Sequence, residues 1–146
     1  MSKRFTLPDA ESLLPEITRS LEQALELKRK LDLASAVVDG MIQKIMAMGG
    51  MVVDPRAASR DRIARDTLAG ELKSAVDRVQ SHGCVVKDLD SGLVDFPTWF
   101  EGREVYLCWK LGEESIGFWH GTEEGFAGRK PIDRRFRGNH QGDPVQ

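Results

Sequence analysis

The stretch "GFWHGTEEGFAGRKP", Gly117 to Pro131, gathers a histidine, an arginine, aromatic rings and four glycines into one short segment. Imidazole titrates near neutrality and serves as acid, base or metal ligand, which makes His120 the leading candidate for chemistry. Arg129 presents a planar fork suited to a carboxylate or phosphate. Asp95 is the carboxylate that could join them. A pocket lined by His120, Arg129 and Asp95 would suit a small molecule or anion, and requires the three to converge on a concavity. The plainer reading of His120 is a strand-end histidine bonded to a carbonyl or carboxylate.

Other constellations fall short of known chemistry. "GTEEGFAGRK" lacks the Gly-Lys-Ser/Thr ending of a nucleotide loop, and Glu123 and Glu124 would repel an anion. Asp88, Asp90 and Asp95 resemble oxygen ligands for a hard cation. In a calcium loop counted from Asp88, however, Gly92 comes one residue early and Trp99 stands where the bidentate glutamate belongs. His82, Cys84, Cys108 and His120 are chemically suitable metal ligands, but their spacing matches no common zinc pattern. The expectation is therefore no metal and no cofactor.

These residues need a scaffold, and the hydrophobic periodicity supplies one. Thr6 opens "TLPD", a helix start, and Pro15 marks a second start or a kink. Ile17, Leu21, Leu25, Leu31, Val38, Met41, Ile45 and Met48 then recur at helical spacing. Gly49 and Gly50 end that helix, and Asp54 with Pro55 starts another that closes at Gly83. Two helices, over 7–48 and 55–82, joined by a short loop form an antiparallel hairpin.

From Cys84 the period becomes two. "CVVKDL" and "LVDF" flank "DSG", and "REVYLCWKL" and "IGFWHG" flank "GEES", so the segment 84–121 reads as a meander of about four antiparallel strands. With Leu111 opposite Ile116, Trp109 pairs with Phe118 and Leu107 with His120, which puts His120 in the core row and turns Cys108 away from it. Trp119, with Tyr106 and Lys110, then faces outward as a partner surface. Around "DSG", Lys87 faces Asp95. The fold class is α+β: a long helical hairpin followed by a small antiparallel sheet.

The 146 residues fit one domain, assigned to 1–132, with 133–146 as a basic, solvated tail. A formal net charge of -2 argues against a nucleic-acid coat, although Arg129, Lys130, Arg134, Arg135 and Arg137 against Asp133 and Asp143 leave a local +3 at the end. Two cysteines without a CxxC pair fit reduced thiols in a cytoplasm, and the chain has no run long enough for a membrane span.

"KDLDSGLVDFP", "REVYLCWKLGE" and "WH" followed by "GFAGR", together with "FTLPDAESLLPEI", resemble an uncharacterised prokaryotic family, domain of unknown function 2203. The resemblance covers Phe5 to Ile132. It implies a small soluble protein and supplies no activity, cofactor or catalytic residue. Two readings of function follow. One is a non-enzymatic interaction module forming a homodimer or other homo-oligomer, because two amphipathic helices offer more apolar surface than a small sheet covers. The other is a binding protein or enzyme with its pocket at His120 and Arg129.

Overall fold

The computed structural model describes residues 3–49 and 53–144. Two helices come first, α1 over Leu7–Met48 and α2 over Pro55–Gln80. Both starts follow from their caps. Thr6 Oγ1 accepts from the Asp9 amide at 3.2 Å, and Asp54 Oδ1 accepts from the Arg56 amide at 3.0 Å. Pro15 lies inside α1, which runs on past it. α1 ends beside Gly49, at φ 85°; Gly50, Met51 and Val52 lie outside the described residues.

An antiparallel sheet follows in the order β1-β2-β3-β4-β5, with β1 Val85–Asp88, β2 Leu93–Phe100, β3 Arg103–Lys110, β4 Phe118–Gly121 and β5 Lys130–Pro131. It has one strand more than the sequence reading expects, because the loop after β4 returns Lys130 opposite Trp119. The β2–β3 turn is Glu101–Gly102, both at positive φ (53° and 76°), the geometry that matches strand twist in two-residue hairpins. That tight turn fixes Asp95 directly opposite Cys108.

The chain divides into two compact units. One comprises residues 1–21 and 76–146, and the other residues 22–75. The first contains the start of α1, the end of α2 and the sheet. Its core joins Phe5, Leu14, Ile17 and Leu21 to Val94, Phe96, Val105, Leu107 and Trp109, all buried. Phe5 meets Phe96 edge to face at 5.3 Å.

The segment after Ile132 departs from the expected solvated tail. Asp133 caps a short helix, α3 over Arg134–Asn139, by accepting from the Phe136 amide at 2.8 Å. Phe136 is 1% exposed and lies against Phe100, Trp119 and His140, with ring centroids at 4.5, 5.1 and 5.2 Å. Gln141 exchanges two backbone hydrogen bonds with Trp99. His140 Nε2 accepts from the Leu7 amide at 2.8 Å, while its Nδ1 donates to the Phe136 carbonyl at 2.9 Å. The tail thus caps the first turn of α1, where amides lack helical partners. One buried phenylalanine and its neighbours outweigh the local charge.

The second unit is thin. Over Glu22–Ala75 the two helical segments bury only Ala24, Val38, Met41 and Ala75 among their apolar residues. Leu33, Val37, Ile42, Met46, Met48 and Ile63 stay exposed.

Candidate functional site

The β3–β4 register differs from expectation by one residue, and that shift reorganises the site. Cys108 pairs with Phe118, Leu107 with Trp119 and Tyr106 with His120. The connection is longer than a four-residue loop, running from Leu111 to Gly117. Glu113 organises it. Its carboxylate accepts from the Lys110 amide at 2.7 Å, and its carbonyl accepts from Trp109 Nε1 at 2.9 Å. Leu111 meanwhile bonds to the Gly92 carbonyl of the β1–β2 turn. Because side chains alternate along a strand, a shift of one turns every β4 side chain over.

Trp119 therefore lies on the core face with Leu107, and packs on Phe100 and Phe136 instead of facing outward as a partner surface. His120 takes the opposite face, with Tyr106 and Cys108. Cys108, expected to point away from His120, comes to its side. Lys87 falls in a β1 irregularity, so Val85 pairs with Asp95 in its place. The Lys87 ammonium lies over the Tyr106 ring at 4.9 Å, and that ring lies 5.5 Å from His120.

At the centre of this face Asp95, Cys108 and His120 are 1%, 0% and 2% exposed. His120 Nε2 lies 3.1 Å from Asp95 Oδ1, and Nδ1 lies 2.8 Å from the Gly121 carbonyl. The ring is thus held between two oxygens, the Gly121 carbonyl and the Asp95 carboxyl group. Asp95 Oδ2 is buried without a hydrogen-bond partner. One ligand-capable atom from each of Asp95, Cys108 and His120 lies within 4.8 Å of the others. Burial, followed by the Asp95 carboxylate, pushes the Cys108 thiol up to about 12, with Arg129 opposing. Cys84 is a core thiol, pushed up to about 11 by burial, and donates to the Val79 carbonyl.

Arg129 is committed elsewhere. Its Nη2 donates to Glu113 at 2.7 Å and to the Cys108 carbonyl at 3.1 Å, and its guanidinium stacks over Phe118 and Phe126 at 4.1 and 4.7 Å. Glu124 accepts from the Gly121 amide at 2.8 Å and from Lys130 at 2.6 Å. Lys130, before the Gly121 amide, holds its carboxyl below the usual range. Of the three residues expected around a pocket, the structure joins His120 to Asp95 and gives Arg129 to Glu113. Sequence reasoning gave Glu113 no role, took Glu124 only as repelling an anion, and turned Cys108 away from His120. The Glu101–Gly102 turn was the signal that could have placed Cys108 against Asp95.

Concavities lie at other places. One of about 640 Å³ is lined by Trp99, Phe100, Glu101, Gly102, Arg135, Asn139 and Gln141. In the hairpin unit a groove of about 320 Å³ is lined by Ala36, Val37, Gly40, Met41 and Lys44 on α1, Ala57, Ala58 and Asp61 on α2, and Val53 and Asp54 before α2. Among the described residues no helix is long and apolar enough to cross a membrane.

Neither the curated proteins nor the solved structures include a match to this chain. A family model does match, over residues 3–132, and it spans α1, α2 and the sheet with its Asp95–Cys108–His120 cluster while leaving the capping tail outside. The chain belongs to the uncharacterized conserved protein family DUF2203.

Proposed function

We propose that the protein is a non-enzymatic interaction module that self-associates through its helical hairpin. The observation that carries this reading is the distribution of exposed apolar side chains. Leu33 at 59%, Met46 at 83% and Ile63 at 61% stand with Val37, Ile42 and Met48 on the hairpin, against Trp99 and Phe126 on the sheet unit. A two-helix segment draws its stability from packing an apolar face. Among the described residues Val38 and Met41 are its only large buried apolar side chains, so this one has little of its own to pack.

A second copy is the occupant the surface favours. The groove lining includes Ala36, Gly40, Ala57 and Ala58, small residues that leave room for side chains from another helix. Its rim carries both signs, Lys44 on one wall and Asp54 and Asp61 on the other. An isologous contact requires such self-complementarity, since each copy offers the same patch. The resulting arrangement is a four-helix bundle with a shared apolar centre.

Light scattering coupled to size-exclusion chromatography tests this over a range of concentrations. The expected result is a mass that rises from one chain toward two, and that returns to one chain in Val37→Asp with the circular dichroism unchanged. A wild-type mass of one chain at the highest concentration would refute the proposal.

A further inference from the structure

The structure assigns a second property to the sheet: we infer that Asp95, Cys108 and His120 form a binding site for a thiophilic divalent cation of the zinc class. The three side chains come from neighbouring strands on one face, Asp95 on β2, its direct partner Cys108 on β3, and His120 on β4. A hydrogen-bonded sheet holds them at strand spacing without any loop having to close. Their donor atoms already lie within 4.8 Å of one another. Bonds of roughly 2.0 Å to nitrogen and oxygen and 2.3 Å to sulfur set these ligand atoms about 3.3–3.5 Å apart at tetrahedral angles. With all three atoms within 4.8 Å, side-chain adjustment of up to about 1.3 Å on the longest edge would achieve that.

Two further observations point to a ligand. Asp95 Oδ2 is an orphaned acceptor in a fully buried position, and a cation bound by this carboxylate would relieve the cost of leaving it unpaired. His120 Nδ1 is engaged by the Gly121 carbonyl at 2.8 Å, which leaves Nε2 directed at the cluster. Metal-binding histidines are oriented in this way, with the far nitrogen donating to a backbone carbonyl. The Gly121 amide is in turn fixed by Glu124 at 2.8 Å. A thiolate, an imidazole and a carboxylate select zinc or cobalt over calcium or magnesium.

Binding balances as proton release. The cation displaces the Cys108 thiol proton, and any proton shared between Asp95 and His120 leaves with it to solvent. Nδ1 keeps its own proton on Gly121. Two negative ligands then neutralise the two positive charges of the ion, which a buried site requires.

The test is cobalt titration of the tag-free 146-residue chain, because cobalt reports both thiolate coordination and geometry. One equivalent per chain should produce a thiolate-to-cobalt charge-transfer band with intensified tetrahedral visible bands, displaced by one equivalent of zinc. The band should disappear in Cys108→Ser and persist in Cys84→Ser. Asp95→Asn should weaken affinity by at least roughly tenfold. A wild-type protein giving no charge-transfer band would overturn the assignment irrespective of how any variant folds, as would a band that survives in Cys108→Ser or vanishes in Cys84→Ser.

Discussion

Replacing Phe136 by alanine should destabilise the sheet-bearing unit by about 3–5 kcal/mol, the usual range for deleting a fully buried phenylalanine. The structure places it at the upper half of that range. Phe136 is 1% exposed and touches three rings, Phe100, Trp119 and His140, at centroid distances of 4.5, 5.1 and 5.2 Å. Each aromatic pair adds about 0.5–1.5 kcal/mol beyond area burial. The ring also anchors α3 and so holds His140 against the Leu7 amide and Gln141 against Trp99. The assay is urea unfolding followed by tryptophan fluorescence, which reads Trp119 beside the deleted ring. Deleting residues 133–146 should cost at least as much. A loss under about 0.5 kcal/mol for Phe136→Ala, the level of an ordinary surface change, would refute the docked tail.

Breaking the buried pair by His120→Ala or Asp95→Ala should each cost about 3–5 kcal/mol, and the double variant should cost less than the sum, because either single change strands the other polar group; a thermodynamic cycle of unfolding free energies measures the coupling. Gly92→Ala should destabilise by more than about 1 kcal/mol, since the residue sits at φ 70° and a Cβ there would lie 2.5 Å from Leu111 Cβ; chemical denaturation of the two proteins gives the difference. The thiols of Cys84 and Cys108 should resist alkylation at neutral pH until the protein unfolds, which mass spectrometry of labelled protein detects. Both are raised on folding, to about 11 and about 12. Their contribution is therefore fully present below the unfolded thiol value near 9.0 and is lost as pH rises from there, at up to about 1.4 kcal/mol per pH unit for each titrating thiol, a slope that unfolding at several alkaline pH values would show.

Elements with strong local signals were legible in the sequence. Thr6 and Asp54 announce helix starts through side-chain acceptors, and Gly83 and Gly92 take the positive φ values of 102° and 70° that their turns need. Pro15 does not end the helix, and α1 covers the expected span, with Leu14 and Ile17 on either side of the proline buried. The site was harder to read for one reason. Its composition depends on parity, and parity depends on a connection whose length is set by Glu113 folding back onto Lys110. With that loop counted short, His120 enters the core row, away from Cys108, and Trp119 turns outward. The tail was misread through its charge, since Asp133 and Phe136 are what order it.

The most direct test of the proposed self-association is amide hydrogen exchange measured on dilute and concentrated protein. Amides over 33–46 and 57–63 should gain protection with concentration, while β2 and β3 exchange alike in both samples. Protection that grows on the sheet instead, or does not change with concentration anywhere, would contradict the assignment of the hairpin as the interface.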